Sequence, residues 1–209
     1  TESLAHLDSY ISARVPVIGM RTIEQQRALR LLREAATQPR RSSMPFWIYT
    51  RATGLRDLRT NAPVQDDRSL TGAMDFAAAQ FGNRPNATVV FVDPDHLEDD
   101  TPVTRHIAEL ARLADNNSGS IVLITDAPIW SGLQRLGMSL HLDLPDADEM
   151  YGILAGFLRD HQGHIPIEWD ENDARRAAEF LSGVTEAECI NLMATIAAKG
   201  SILRGDVLG

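Results

Sequence analysis

The sequence predicts an α/β fold, a parallel sheet flanked by helices and followed by a small C-terminal helical subdomain. Three observations predict it. Short apolar runs alternate with helical runs through most of the chain, the pattern of βαβ units. The run TVVFVD, 88–93, is continuously apolar up to its last residue, as suits a parallel strand buried on both faces. From about residue 165 two helical runs, ENDARRAAEFL and TEAECINLMATIAAK, occur with no strand between them.

In order, LAHLDSYISAR reads as a short helix with Leu4, Leu7, Tyr10 and Ile11 on one face. VPVIGM, 15–20, is the first strand. RTIEQQRALRLLREAA follows as a helix, with Thr22 and Gln25 at capping-box spacing. PFWIYT, 45–50, is the second strand, and the polar stretch RATGLRDLRTNAPVQDDRS is a loop. SLTGAMDFAAAQF is a helix closed by Gly82–Asn83, and TVVFVD is the third strand. TPVTRHIAELARLA is a helix with Pro102 in its first turn, where the missing donor is harmless. SIVLIT, 120–125, and SLHLDL, 139–144, are further strands, separated by a short stretch around Trp130 and Leu133. DADEMYGILAGFLRDH is the last helix of the alternating series. This organisation predicts an α/β subdomain over 1–162 and a helical subdomain over 163–209.

At 209 residues, 44% hydrophobic and 23% charged, the chain has the composition of a globular protein. Its net charge of −9 argues against a nucleic-acid surface, although Arg40, Arg41, Arg51, Arg56 and Arg59 cluster in sequence. Cys189 is the single cysteine, which excludes an internal disulfide and any multi-cysteine metal site. It sits in an apolar helical pattern and reads as a packed, inert thiol. No run reaches membrane-spanning length and the start lacks a signal-peptide pattern, so a cytoplasmic protein is expected. The start at Thr1 and the end at VLG read as those of a piece of a longer protein.

ATVVFVDPDHLEDD, 87–100, is an apolar run ending on Asp93 and followed by carboxylates. This is the outline of a magnesium-holding strand in a P-loop nucleotide hydrolase, and equally of a buried strand running into an acidic loop. A working site needs G-x-x-x-x-G-K-[ST] at the first strand's exit, where backbone N–H groups and a lysine cradle phosphates. The corresponding stretch, GMRTIEQQR, has one glycine, Gly19, and no lysine; the chain's only lysine is Lys199. Glu24 places a negative charge where the helix N-terminus would otherwise attract an anion. Pro94 stands where a catalytic carboxylate belongs, and Asp95 comes one residue late. The run Asp93, Asp95, His96, Glu98, Asp99 and Asp100 also has the oxygen donors of a hard-metal site, or of a solvated loop with Asp99 or Asp100 favouring the next helix. His161 and His164 have zinc-compatible spacing but no third ligand in view. No metal site is expected from either group.

The order of elements resembles an AAA+ ATPase module over most of residues 4–200. VPVIGMRTIEQQRA stands where strand, phosphate loop and helix should be, and VVFVDPDHLED matches the second nucleotide motif in position. SIVLITDAP resembles the next strand, with Thr125 at its sensor position. LHLDLPDADEMYGIL is similar to the passage leading to the lid, and SGVTEAECINL to the lid's turn and last helix. More narrowly, LDSYISARVPVIGMRTIEQQRALRLL, FWIYTRATGL and VVFVDPDHLED resemble the degenerate N-terminal module of a plastid and cyanobacterial AAA+ group, known as a hypothetical chloroplast reading frame, with bacterial relatives.

The resemblance implies a P-loop-NTPase-like, AAA+-like sheet with a helical lid and no catalytic residue in this chain. Gly19, Thr22, Asp93, Asp95 and Thr125 are then relics of motif positions, and no arginine stands at the lid's sensor place between Gly183 and Leu192. It further implies that ATP and Mg belong to an active module elsewhere in the parent protein. The partners expected are that neighbouring module, further copies in a homo-oligomer and a client protein, with neither membrane nor nucleic acid. Two alternatives stay open: a clamp-loader-like, ATP-incompetent subunit, and an atypical metal-dependent hydrolase using the Asp93–Asp100 cluster.

Overall fold

The computed structural model describes residues 2–207, apart from the side chain of Val207. Its elements are α1 (Glu2–Ser12), β1 (Val17–Arg21), α2 (Gln25–Ala36), β2 (Phe46–Thr50), β3 (Gly54–Asp57), α3 (Leu70–Asn83) and β4 (Thr88–Val92). There follow α4 (Pro102–Asp115), β5 (Ser120–Thr125), α5 (Ser131–Gln134), β6 (Gly137–His141), α6 (Ala147–His161), α7 (Glu171–Leu181) and α8 (Glu186–Ala197). They form two compact units, 1–142 and 143–209.

The first unit holds a six-stranded sheet in the order β3-β2-β4-β5-β1-β6, parallel except for the β2–β3 pair. Alternation along each strand feeds two cores. Trp47, Tyr49, Val89, Phe91, Ile121 and Leu123 pack with α3 and α4 through Met74, Phe81, Ile107 and Leu110. Phe46, Ile48, Val90, Val92, Val122 and Ile124 pack with α1 and α2 through Leu7, Ile11, Leu29 and Leu32. Each such buried side chain contributes roughly 1.5–3 kcal/mol by leaving water, so the sheet is held from both faces. The step from β1 to β2 runs opposite along the sheet to the steps from β3 to β4, β4 to β5 and β5 to β6. Right-handed crossovers therefore put α2 on the other face from α3 and α4.

Several expectations need correction. The segment 51–69 is not all loop: β3 forms an antiparallel hairpin with β2 in the register Tyr49↔Leu55. Gly54 supplies the turn at φ +70, and Leu55 enters the core. That single apolar residue gave no periodic signal. β6 begins at Gly137 rather than Ser139, because its register is set by β1, with Val17 opposite Gly137. The capping box of Thr22 and Gln25 does not form. Glu24 is the N-cap of α2 and makes no side-chain cap bond, while the Thr22 hydroxyl accepts from the Glu24 N–H at 2.9 Å. The boundary at 162 differs from the division at 142 because α6 joins the second unit. Its Met150 and Leu154 are buried with Trp169, Ala177, Cys189 and Met193.

Candidate functional site

Parallel α/β sheets bind ligands beyond the strands' carboxyl ends, where neighbouring crossovers leave on opposite faces. Here that place lies between β1, which leads into α2, and β5 with β4, which lead to the other face. A cleft of about 580 Å³ opens beside it, lined by Gln25, Thr50 and Arg51, the β4 exit from Asp93 to His96, and Thr125.

The structure brings three of the marked residues together at the strand ends. Thr125, 2% exposed, accepts at its carbonyl from the Thr22 N–H at 2.9 Å. Its hydroxyl donates to Asp93 Oδ1 at 3.5 Å and accepts from the Ala127 N–H at 3.1 Å. Asp93 itself donates its N–H to the Ile124 carbonyl at 2.7 Å and then leaves the ladder at φ +49. Its carboxylate faces solvent, while Pro94 behind it is buried. Asp95 also reaches the cleft, where its carboxylate pairs with exposed Arg51.

Gly19 belongs elsewhere. It lies inside β1, between Leu123 of β5 and Ser139 of β6, rather than at the strand exit. A Cβ there would stand 2.7 Å from Ile129 Cδ1, so glycine serves packing against the core. The connection from Arg21 to Gln25 is consequently only Thr22, Ile23 and Glu24. Ile23 is 75% exposed. Glu24 turns inward and pairs with Arg27 at 2.7 Å, both nearly sealed from solvent. A phosphate nest is formed by successive inward-pointing backbone N–H groups, and this connection has three residues to supply them. A carboxylate buried at the helix start makes that end poorly receptive to an anion. Sequence reading noted Glu24 but missed Arg27, although the i,i+3 spacing of the pair was visible.

The acidic loop divides into local pairs. Asp100 takes both Nε and Nη2 of Arg105, at 2.6 and 2.8 Å, which holds its carboxyl below the usual range. The cap of α4 is Thr101, in a capping box with Thr104, so neither Asp99 nor Asp100 fills that role. His96, Glu98 and Asp99 bring ligand atoms within 4.8 Å of one another, all exposed. They are the only such trio among the described residues, and Asp93 and Asp95 are outside it. His161 Nδ1 lies 2.9 Å from the Phe157 carbonyl and the ring stacks on Phe157. It joins no trio with His164.

The arginines that cluster in sequence are spent on internal bonds. Arg41 is buried and reaches the Ala35 carbonyl and Asp8. Arg59 donates to the carbonyls of Ala36, Arg41 and Met44. Arg40 pairs with Asp8, Arg51 with Asp95, and Arg56 bonds the Asn61 carbonyl. Guanidinium groups suit this work because one fork serves several acceptors. Among the described residues no helix is long and apolar enough to cross a membrane.

The description "SpoVK-like AAA ATPase, N-terminal domain" fits residues 3–142. The chain belongs to that family. The matched span coincides with the sheet-bearing unit. No curated protein matches the sequence. Among solved structures, this member of the SpoVK-like N-terminal domain family is similar to a chain of the E. coli MS115-1 HORMA–CdnC–Trip13 complex, with a TM-score of 0.57 and 13% identity over 92% of this chain and 71% of that one. The FIGL-1 AAA domain in complex with ADP gives a TM-score of 0.55 and 11% identity over 88% and 60%. A Thermotoga maritima RuvB variant gives 0.59 and 14% over 100% and 67%. At these identities the likeness establishes the AAA+-type fold and nothing about chemistry.

Proposed function

We propose that this SpoVK-like N-terminal domain is an ATP-incompetent AAA+-type module that works through protein contacts. On this reading it sits within a larger AAA+ ATPase, whose ATP-binding and hydrolysing module lies outside this chain. The observation that carries the reading is the three-residue Thr22–Glu24 connection. It combines a missing phosphate nest with a buried Glu24–Arg27 pair at the helix start. Asp93 and Thr125 keep the positions of motif residues but hold one another and the end of β1, so they serve the sheet rather than a cation. ATP and Mg then belong to the parent's active module. The second unit corresponds by its order in the chain and its helical make-up to a lid subdomain, and the protein works in the cytoplasm with its neighbouring module, further copies and a client. The narrower likeness to the plastid and cyanobacterial group fits the same account.

Thermal unfolding tests it. A ligand that binds only the native state raises stability as RT ln(1 + [L]/Kd). With millimolar Mg-ATP and then Mg-ADP, the transition midpoint of residues 1–209 is expected to stay where it is in EDTA. A nucleotide-specific rise that disappears in Asp93→Ala would contradict the proposal.

A further inference from the structure

The two outer strands of the sheet, β3 and β6, are finished differently. The outer side of β3 is taken by its own chain. Arg56 bridges Pro63, the Val64 N–H donates to the Leu55 carbonyl at 3.1 Å and the Asp57 N–H to the Ala62 carbonyl at 2.9 Å. A covering segment and a proline are two of the devices that keep an edge from pairing with another chain. β6 has neither: among the described residues no strand or bridge lies on its outer side. Its run GMSLH holds no lysine or proline, and its register with β1 is unbroken by a bulge from Gly137 to His141. Ser139 is exposed, and so is the apolar Met138, at 47%.

The ladder decides which main-chain groups face outward. The Leu142 N–H donates to the Arg21 carbonyl at 3.1 Å, and Arg21 stands opposite His141. In a parallel pair this sets the alternation: Met138, Leu140 and Leu142 turn their N–H and C=O groups to β1, while Gly137, Ser139 and His141 turn theirs away from the sheet. Ser139 is the middle of the outward set. Among the described residues its N–H and carbonyl make no hydrogen bond to a turn, loop or helix.

The flanks of this edge are complementary to themselves. Arg135 stands four residues before Ser139 and Asp143 four residues after it. In an antiparallel pair of two β6 strands about a two-fold axis at Ser139, residues equidistant from Ser139 face one another. Arg135 of each copy then meets Asp143 of the other, so the charge match occurs twice. Arg135 is exposed and makes no ion pair among the described residues. Met138 comes opposite Leu140 of the second copy, in a pair without hydrogen bonds, where side chains approach most closely. Centring the axis on Gly137 or His141 instead leaves neither Arg135 nor Asp143 opposite a charge.

We propose that β6 pairs antiparallel with β6 of a second copy of this chain about a two-fold axis at Ser139, joining two six-stranded sheets into one. Main-chain bonds at Ser139 supply the pairing, and the two Arg135–Asp143 contacts fix its register and its partner. The proposal rests on the protein-contact reading above and gives one of its contacts, that between copies, a surface and a register.

Sedimentation equilibrium of residues 1–209 without nucleotide tests it. The expected particle has twice the 23.0 kDa mass of the chain and dissociates on dilution. Ser139→Pro removes an outward N–H that no bond to β1 uses, and is expected to leave monomer alone with a native circular dichroism spectrum. Arg135→Asp sets like charges opposite one another and is expected to weaken the dimer at least about tenfold, and adding Asp143→Arg to bring it back to within about threefold. Arg135 lies on the surface outside the strand, so this pair of variants reads the interface even where proline unfolds the chain. A chain that stays monomeric up to about 1 mM overturns the proposal. So does a dimer indifferent to Arg135→Asp, or a double variant no tighter than Arg135→Asp alone. The experiment contains no nucleotide, so its failure leaves the ATP-incompetent reading standing, and saturable ATP binding would overturn that reading without touching the dimer.

Discussion

Cys189 and Asp8 show how burial and partners set the behaviour of single groups. Burial first, then nearby Glu186, pushes the Cys189 thiol up to about 11, so little thiolate exists at pH 8. The native chain is expected to resist a thiol-specific disulfide reagent and to release one equivalent once unfolded in urea. Asp8 is held below the usual carboxylate range chiefly by Arg40, with Arg41 adding to it against the cost of burial. A lowered folded-state value means that Asp8 contributes stability above its unfolded value of about 4. That contribution is lost as pH falls through the lower folded value. Asp8→Asn is therefore expected to lower stability at pH 7 and to flatten the fall in stability below about pH 4, as read by urea denaturation at several pH values.

At the scale of elements, β1 and its exit into α2 carry the strongest local constraints. Gly19→Ala places a methyl against Ile129 Cδ1 and is expected to cost about 1–3 kcal/mol. Ile129→Val removes that atom and should recover part of the loss. The Glu24–Arg27 pair makes a sharper case. Arg27→Met alone leaves a buried carboxylate without its guanidinium and is expected to cost about 3–5 kcal/mol, whereas Arg27→Met with Glu24→Gln should recover most of it. Denaturant midpoints of the single and double variants check both statements.

These elements also mark what the residues made legible. Strands β2, β4 and β5 were plain because each is an unbroken apolar run covered on two faces. Thr22, Asp93 and Thr125 were found because motif order places them at strand ends. Gly19 has two readings in the sequence, a residue of the strand VPVIGM and the one glycine of a degenerate phosphate loop, and it stands in the ladder of β1. The hairpin strand β3 was hidden because Leu55 alone enters the core, and the bridge between Ile167 and Ile202 because it joins distant residues with one contact pair.

For the whole molecule, the sheet, both of its cores and the family match all end by residue 142, and α6 to α8 form a core of their own. Residues 1–142 expressed alone are expected to keep a mixed α/β circular dichroism spectrum and unfold in one cooperative step. Loss of that cooperativity would mean that the sheet depends on the remainder of the chain. The central claim is the proposal that the three-residue connection at the strand ends, Thr22–Glu24, does not hold phosphates. Isothermal titration of residues 1–209 with Mg-ATP tests it most directly. The account predicts no saturable heat up to about 1 mM nucleotide, an affinity weaker than roughly −4 kcal/mol, whereas magnesium-dependent binding of one ATP per chain at micromolar affinity would contradict it.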